Sequence, residues 1–267
     1  MVMNKKCLLC KESSASSIKS HIIPKFIGKD LISENKMLVL SKDDKAFYQS
    51  DLPKRGGIFC VDCEKKFNTV ETLASRVIND FRIKCYEKFT YCNMSYLDTI
   101  LKMNMNTEVF NLFLLSILWR VSVSDDYLFK SIKLPNKIEN GIRKILNYNL
   151  KPFIKDYSTF NNYNKYLDFF LVFKKPINMT PSSRGGISLL NPSKGVYVFN
   201  LPFFQISLVE NGSFNTSFSK DTMFNHELSN LYIIINQDFI FKQDNYSPLK
   251  KFEFSRNTID RLLSKIK

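Results

Sequence analysis

Two Cys-x-x-Cys pairs, Cys7/Cys10 and Cys60/Cys63, are the strongest chemical signal in the chain. Four thiolates in such pairs can meet tetrahedrally on one Zn²⁺, the usual geometry of structural zinc, with Zn–S bonds of about 2.3 Å. A redox role fits less well, because a thioredoxin-like pair opens a helix in a βαβ unit, whereas here two pairs share one region. A structural zinc would also explain how an amino-terminal segment rich in polar side chains holds together. Between the pairs lies Ser20-His21-Ile22-Ile23-Pro24-Lys25, with the first of only two histidines. His21 has three readings: a spare zinc ligand, a histidine without chemistry, or a general base. Glu64, Asn68 and Glu71 follow at i, i+4 and i+7, so one helix face offers two carboxylates and an amide. That stripe is either a Mg²⁺-type oxygen site or a solvated face.

Charge points to a polyanionic partner. Lys and Arg number 39 against 25 Asp and Glu, a formal +14 that attracts nucleic acid over a distance. The competing explanation is compositional, since Lys, Asn, Ile, Phe and Tyr are abundant together, as in proteins from AT-rich genomes. Lys19, Lys25 and Lys29 flank the histidine, Lys54 and Arg55 precede a Gly-Gly pair, and Lys65 and Lys66 fall in a first helical turn. Lysines there oppose the helix dipole unless an anion compensates. This region has no interleaved aromatic platform of the kind that binds single strands, which favours duplex or structured nucleic acid.

The elements that must position these groups divide the chain at about residue 82. Phe67, Val70, Ala74, Val77, Ile78 and Phe81 recur at helical spacing, so a helix begins near Cys63. Residues 96–150 read as helical, with the apolar run Val109 to Val121 as a buried helix, too short and too interrupted to span a membrane. Residues 166–241 are strand-rich, from Phe169–Phe173 through Val196–Phe199 and Phe204–Leu208 to Leu231–Ile235, with 191–195 as a turn. The expected class is α+β: an amino-terminal zinc module over 1–82, then an α+β domain over 83–267 with central helices and a carboxy-terminal antiparallel sheet closed by a helix at 255–266. His226, Cys85 and Cys92 read as structural residues. The opening residues carry no apolar stretch after their charges, so a cytoplasmic location is expected.

The order Cys-x-x-Cys, His-Ile-Ile-Pro at a strand, then Cys-x-x-Cys leading into a helix resembles the four-cysteine zinc branch of the HNH endonucleases, over about residues 7 to 75. The resemblance implies a treble clef with a ββα-metal core. It also implies His21 as the base that activates water and a second divalent ion, Mg²⁺ or Mn²⁺, at the scissile phosphate. On that reading Glu64 and Glu71 join His21 as catalytic residues, and the zinc is structural. The chain departs from the usual pattern at Ser20, where an acidic residue or histidine is common, and at Glu64, where Asn or His is common. No Asn that would orient the base is identifiable beyond Asn35. The set is also similar to a group of bacterial proteins marked by Ser20 to Phe26, Cys60 to Glu64, Glu71 and a helix with Ser116, Trp119 and Arg120. On their own, Trp119 and Arg120 read as a buried aromatic beside a helix cation. HNH-like modules recur in antiphage defence, which makes such a role an expectation by analogy. A catalytically inactive zinc-stabilised module that binds DNA, RNA or a protein partner is the other class of function.

Overall fold

The structure is a computed structural model that describes residues 5–28, 32, 36–40, 46–91, 99–104, 107–130, 132–157, 167–173, 188–193, 195–201, 204–210 and 230–235. It is a mixed helix and strand fold. The chain enters through a tight turn at the first cysteine pair, where Lys11 N–H donates to the Cys7 carbonyl (2.9 Å) and Lys11 takes a left-handed φ of 65°. Leu8 N–H donates to Ile58 O (2.8 Å) and Ser16 N–H to Phe59 O (2.7 Å), which lays this turn against the segment leading into the second pair.

A short strand β1 (Lys19–His21) then pairs antiparallel with β4 (Lys54–Gly56), His21 standing opposite Lys54. The excursion between them holds a single-turn helix α1 (Lys25–Gly28) and a hairpin of β2 (Met37–Leu40) and β3 (Ala46–Gln49). Gly28 leaves room for the Leu52 side chain, since a Cβ there would lie 2.5 Å from a Leu52 methyl and force it to shift. After β4 the chain runs directly into α2 (Val61–Tyr91), which starts at the second cysteine pair and continues past residue 82. Asp62 and Glu64 in its first turn suit the helix dipole.

Phe67, Val70, Ala74 and Ile78 form the buried stripe of α2, and they pack on α3 (Thr107–Val123). Every residue of α3 from Glu108 to Val121 is buried, so its sequence is mostly apolar, with Glu108, Asn111, Ser116 and Arg120 as buried polar exceptions. Trp119 stacks on Phe59 (5.8 Å) and Phe67 (6.4 Å), and this aromatic group joins the second cysteine pair, α2 and α3 in one core. Helix α4 (Asn136–Asn149) also packs on α3. Among the described residues no helix is long and apolar enough to cross a membrane.

The remaining strands form a six-stranded sheet. In chain order they are β5 (Thr99–Asn104), β6 (Leu167–Phe173), β7 (Ser188–Ser193), β8 (Val196–Leu201), β9 (Phe204–Glu210) and β10 (Asn230–Ile235). Their spatial order is β5-β10-β6-β9-β8-β7. Four expected strands are present as β6, β8, β9 and β10. Three expectations are corrected. Residues 99–104 are strand and not helix: Thr-Ile-Leu-Lys-Met-Asn is too short for periodicity to decide, and pairing with the distant β10 decides it. The sheet is mixed and not wholly antiparallel, since β10 runs parallel to β6. The stretch expected as a turn at 191–195 lies largely in β7, where Pro192 is tolerated because β7 is an edge strand and its register shifts between Leu190 and Ser193. The expected helix at 255–266, His226, Cys92, Asn35 and Lys29 lie outside the described residues; Cys85 falls on the backbone of α2.

Candidate metal centre and histidine site

The turn at Cys7–Cys10 and the first turn of α2 bring the four cysteine sulfurs within 4.8 Å of one another, with Cys10 and Cys60 Sγ 3.9 Å apart. A tetrahedral ion with bonds of about 2.3 Å separates its sulfurs by about 3.8 Å, so this donor set could hold a metal such as zinc after a small contraction. The thiols are free and largely buried. Their proton affinities already diverge: the hydrogen bond from Cys63 pulls Cys7 down to about 4 against the opposing effect of burial, and the same contact drives Cys63 far up. One face of the cluster is fixed from a distance, since Arg143 of α4 donates through Nη1 to the carbonyl of Leu9 inside the first pair (2.8 Å). Among the described residues no second group of three or more His, Cys, Asp or Glu side chains converges in this way.

His21 is separate from that cluster. Its side chain keeps 23% of its surface in solvent and its Nε2 lies 3.3 Å from Asp51 Oδ1. Asp51 is itself fixed: Oδ1 accepts the Leu52 N–H (2.8 Å) and Oδ2 pairs with Lys54. Partial burial works upward on the Asp51 carboxyl, but the bonds from Lys54, Leu52 and His21 outweigh it and hold it down to about 2. Desolvation lowers His21 below its ordinary value, with Asp51 opposing, so the imidazole is neutral at pH 7. A half-exposed, neutral histidine held by a carboxylate can accept a proton.

Successive residues of a strand face opposite sides, and here the consequence is sharp. Ser20, next to His21, is 4% exposed and donates its hydroxyl to Glu64 Oε1 at the start of α2. Burial pushes the Glu64 carboxyl up to about 7, helped by nearby Glu71 and opposed by Arg120. Glu71 receives Arg120 Nη1 at 2.6 Å. The same nitrogen donates to the His21 carbonyl (2.9 Å), Nε donates to Ser116 O (3.2 Å), and the guanidinium lies 5.1 Å from the Phe67 ring centre. Arg120 is 3% exposed, so one buried cation ties α3 to both β1 and α2.

The residues singled out from sequence are therefore divided. Glu64 and Glu71 meet in a buried polar cluster around Ser20 and Arg120, while Asn68 is exposed, so the three are not a common solvated face. The His21 side chain contacts Asp51 instead. Lys19, Lys25, Arg55 and Lys65 are exposed, Lys66 is half-buried, and Lys54 is committed to Asp51. Lys65, moreover, lies over the Phe153 ring at 4.2 Å. Asp51 was missed because nothing in its spacing from His21 is periodic; the only available signal was an acid shortly before Lys54-Arg55-Gly56-Gly57. Compared with known proteins, the chain matches no family model, no curated protein and no solved structure.

Proposed function

We propose that the amino-terminal part of the chain is an HNH-like module of treble-clef type that hydrolyses phosphodiester bonds in nucleic acid, with His21 as general base and Asp51 as the group that orients it. The observation that carries the reading is the His21–Asp51 contact on a two-stranded hairpin that leads into α2, apart from the four-cysteine cluster. In the reaction His21 takes a proton from water, the resulting hydroxide attacks phosphorus, and the P–O bond to the leaving oxygen breaks, that oxygen gaining a proton from solvent. Exposed Lys19, Lys25 and Arg55 on the same hairpin and α1 supply positive charge for a phosphate backbone. The four cysteines would hold a structural zinc, which on this reading takes no part in the chemistry.

The expected Mg²⁺ or Mn²⁺ site does not fit the donors as placed, because Glu64 is bonded to Ser20 and Glu71 to Arg120, and no step is assigned to such an ion. That same observation favours a second reading, a module that binds nucleic acid or a protein without cutting. The two separate in one assay: purified chain is incubated with single-stranded and duplex substrates, with Mg²⁺ or Mn²⁺, beside His21→Ala. On the nuclease reading wild type cuts and His21→Ala does not, with zinc content and melting temperature unchanged. A His21→Ala variant as active as wild type, or a wild type that cuts nothing with either ion, refutes it and leaves the binding module.

A further inference from the structure

The sequence around the cysteines offers no aromatic surface, yet the fold brings one there. Helix α4 ends at Asn149 with Tyr148 exposed over 79% of its surface, and the turn that follows presents Phe153 at 50%. Of the exposed large apolar side chains among the described residues, Tyr148 is the most exposed. Lysines alternate with the two rings. Lys144 precedes Tyr148 by one helical turn and is exposed, Lys151 Nζ lies 5.7 Å from the Tyr148 ring centre, and Lys155 Nζ lies 5.9 Å from that of Phe153. The arrangement is anchored to the candidate site, because Thr69 of α2 donates to Pro152 O (3.0 Å) and Lys65 covers Phe153 at 4.2 Å. Lys65 directly follows Glu64, which holds Ser20 beside His21. Asp156 is the one acid within this turn, which holds Lys151 and Lys155, while Lys144 and Lys65 come from α4 and α2.

Exposed rings interleaved with lysines are the combination that binds unpaired nucleobases: the rings stack on base faces while the ammonium groups follow the phosphates. A duplex, whose bases are already stacked on each other, offers these rings no free base face. We infer that Tyr148 and Phe153, with Lys65, Lys144, Lys151 and Lys155, form a stacking platform for a single-stranded segment of nucleic acid where the turn after α4 meets the start of α2. The inference rests on the nucleic-acid partner of the reading above and not on its chemistry. It replaces the preference for duplex that the amino-terminal sequence alone suggested.

The test is binding of the full-length, zinc-loaded chain to a fluorescein-labelled oligo-dT of about 12 nucleotides and to a duplex of equal length, at low salt with no added Mg²⁺ or Mn²⁺. Tyr148→Leu and Phe153→Leu keep apolar bulk and remove the aromatic face. Each is expected to weaken single-strand binding about fivefold or more, with duplex binding changed less than twofold and the thermal melt unchanged. Lys65→Gln should flatten the salt dependence of single-strand binding by about one phosphate contact. If Phe153→Leu alters the melt because Lys65 loses its ring, Tyr148→Leu decides, since so exposed a ring contributes little to folding. Single-strand affinity within twofold of wild type in Tyr148→Leu, equal losses on duplex, or no binding of the single strand by wild type overturns the inference, and the last result leaves the surface to a protein partner. Because no cleavage is measured, failure of the nuclease reading leaves this outcome unaffected.

Discussion

Replacing Arg120 by Met tests whether the buried cation is what sets the hairpin against the helices. Met keeps most of the length and apolar stem of the side chain, so the loss is chiefly polar. Three polar interactions go, the bond to the His21 carbonyl at 2.9 Å, the bond to Ser116 O at 3.2 Å and the ion pair to Glu71 at 2.6 Å, together with the approach of the cation to the Phe67 ring. A hydrogen bond from a charged donor is worth about 1.5–3 kcal/mol, and stranding one member of a buried ion pair costs about 3–5 kcal/mol in total. Glu71 is 17% exposed and recovers some hydration, so the expected destabilisation is about 3–4 kcal/mol in urea unfolding of the metal-loaded protein. The decisive measurement is the double-mutant cycle with Glu71→Gln. Once the cation is gone, an uncharged amide is better tolerated than a carboxylate, so the double variant should be more stable than the sum of the singles predicts by about 1.5–3 kcal/mol. Additivity within about 0.5 kcal/mol would show that the pair does not act as a unit and would refute the reasoning.

Metal analysis of the purified chain is expected to return about one zinc per molecule, and Cys60→Ser to lose it together with the cooperative melt, because ligand binding and folding are coupled at such sites; an intact fold without metal would end the zinc assignment. The His21 imidazole, followed by NMR with His226 as the second signal, should titrate below the ordinary value of about 6.5, and Asp51→Asn should lower it further, since the Asp51 bond and charge favour the protonated form. The sign for stability follows from the same shift: as pH falls below about 6.5 the unfolded chain takes up a proton that the folded His21 resists, so His21 makes the fold lose stability on the acid side, with none lost above neutrality. A His21 titrating at or above the ordinary value would contradict the burial that the structure gives it.

What could be read in advance was what short-range spacing encodes. The cysteine pairs announce their convergence because two residues between thiols place both on one turn, and α2 and α3 announce themselves through long apolar patterns. The functional partners were hidden because they are set by closure of the fold. Asp51 reaches His21 only once β1 and β4 pair, and Ser20 meets Glu64 only because strand alternation turns it inward when His21 turns out. Arg120 could be marked as a helix cation, but not as the group that holds a carbonyl 99 positions earlier in the chain. Strand β5 failed for the same reason at the level of the backbone, its six residues taking their conformation from β10 across about half the chain.

The arginines that secure the amino-terminal module sit on later helices: Arg120 reaches back to the His21 carbonyl and Arg143 to that of Leu9. During synthesis at about 5–20 residues per second, all four cysteines therefore leave the ribosome several seconds before Arg143 does. In that interval the nascent chain has every thiol needed to capture a metal ion, and Ser20 and Glu64 to join β1 to α2, but nothing to hold the carbonyl of Leu9. Ion capture can precede tertiary docking, and although His21, Asp51 and Lys54 are all synthesised early, the Arg120 bond that fixes the His21 carbonyl forms only when α3 arrives.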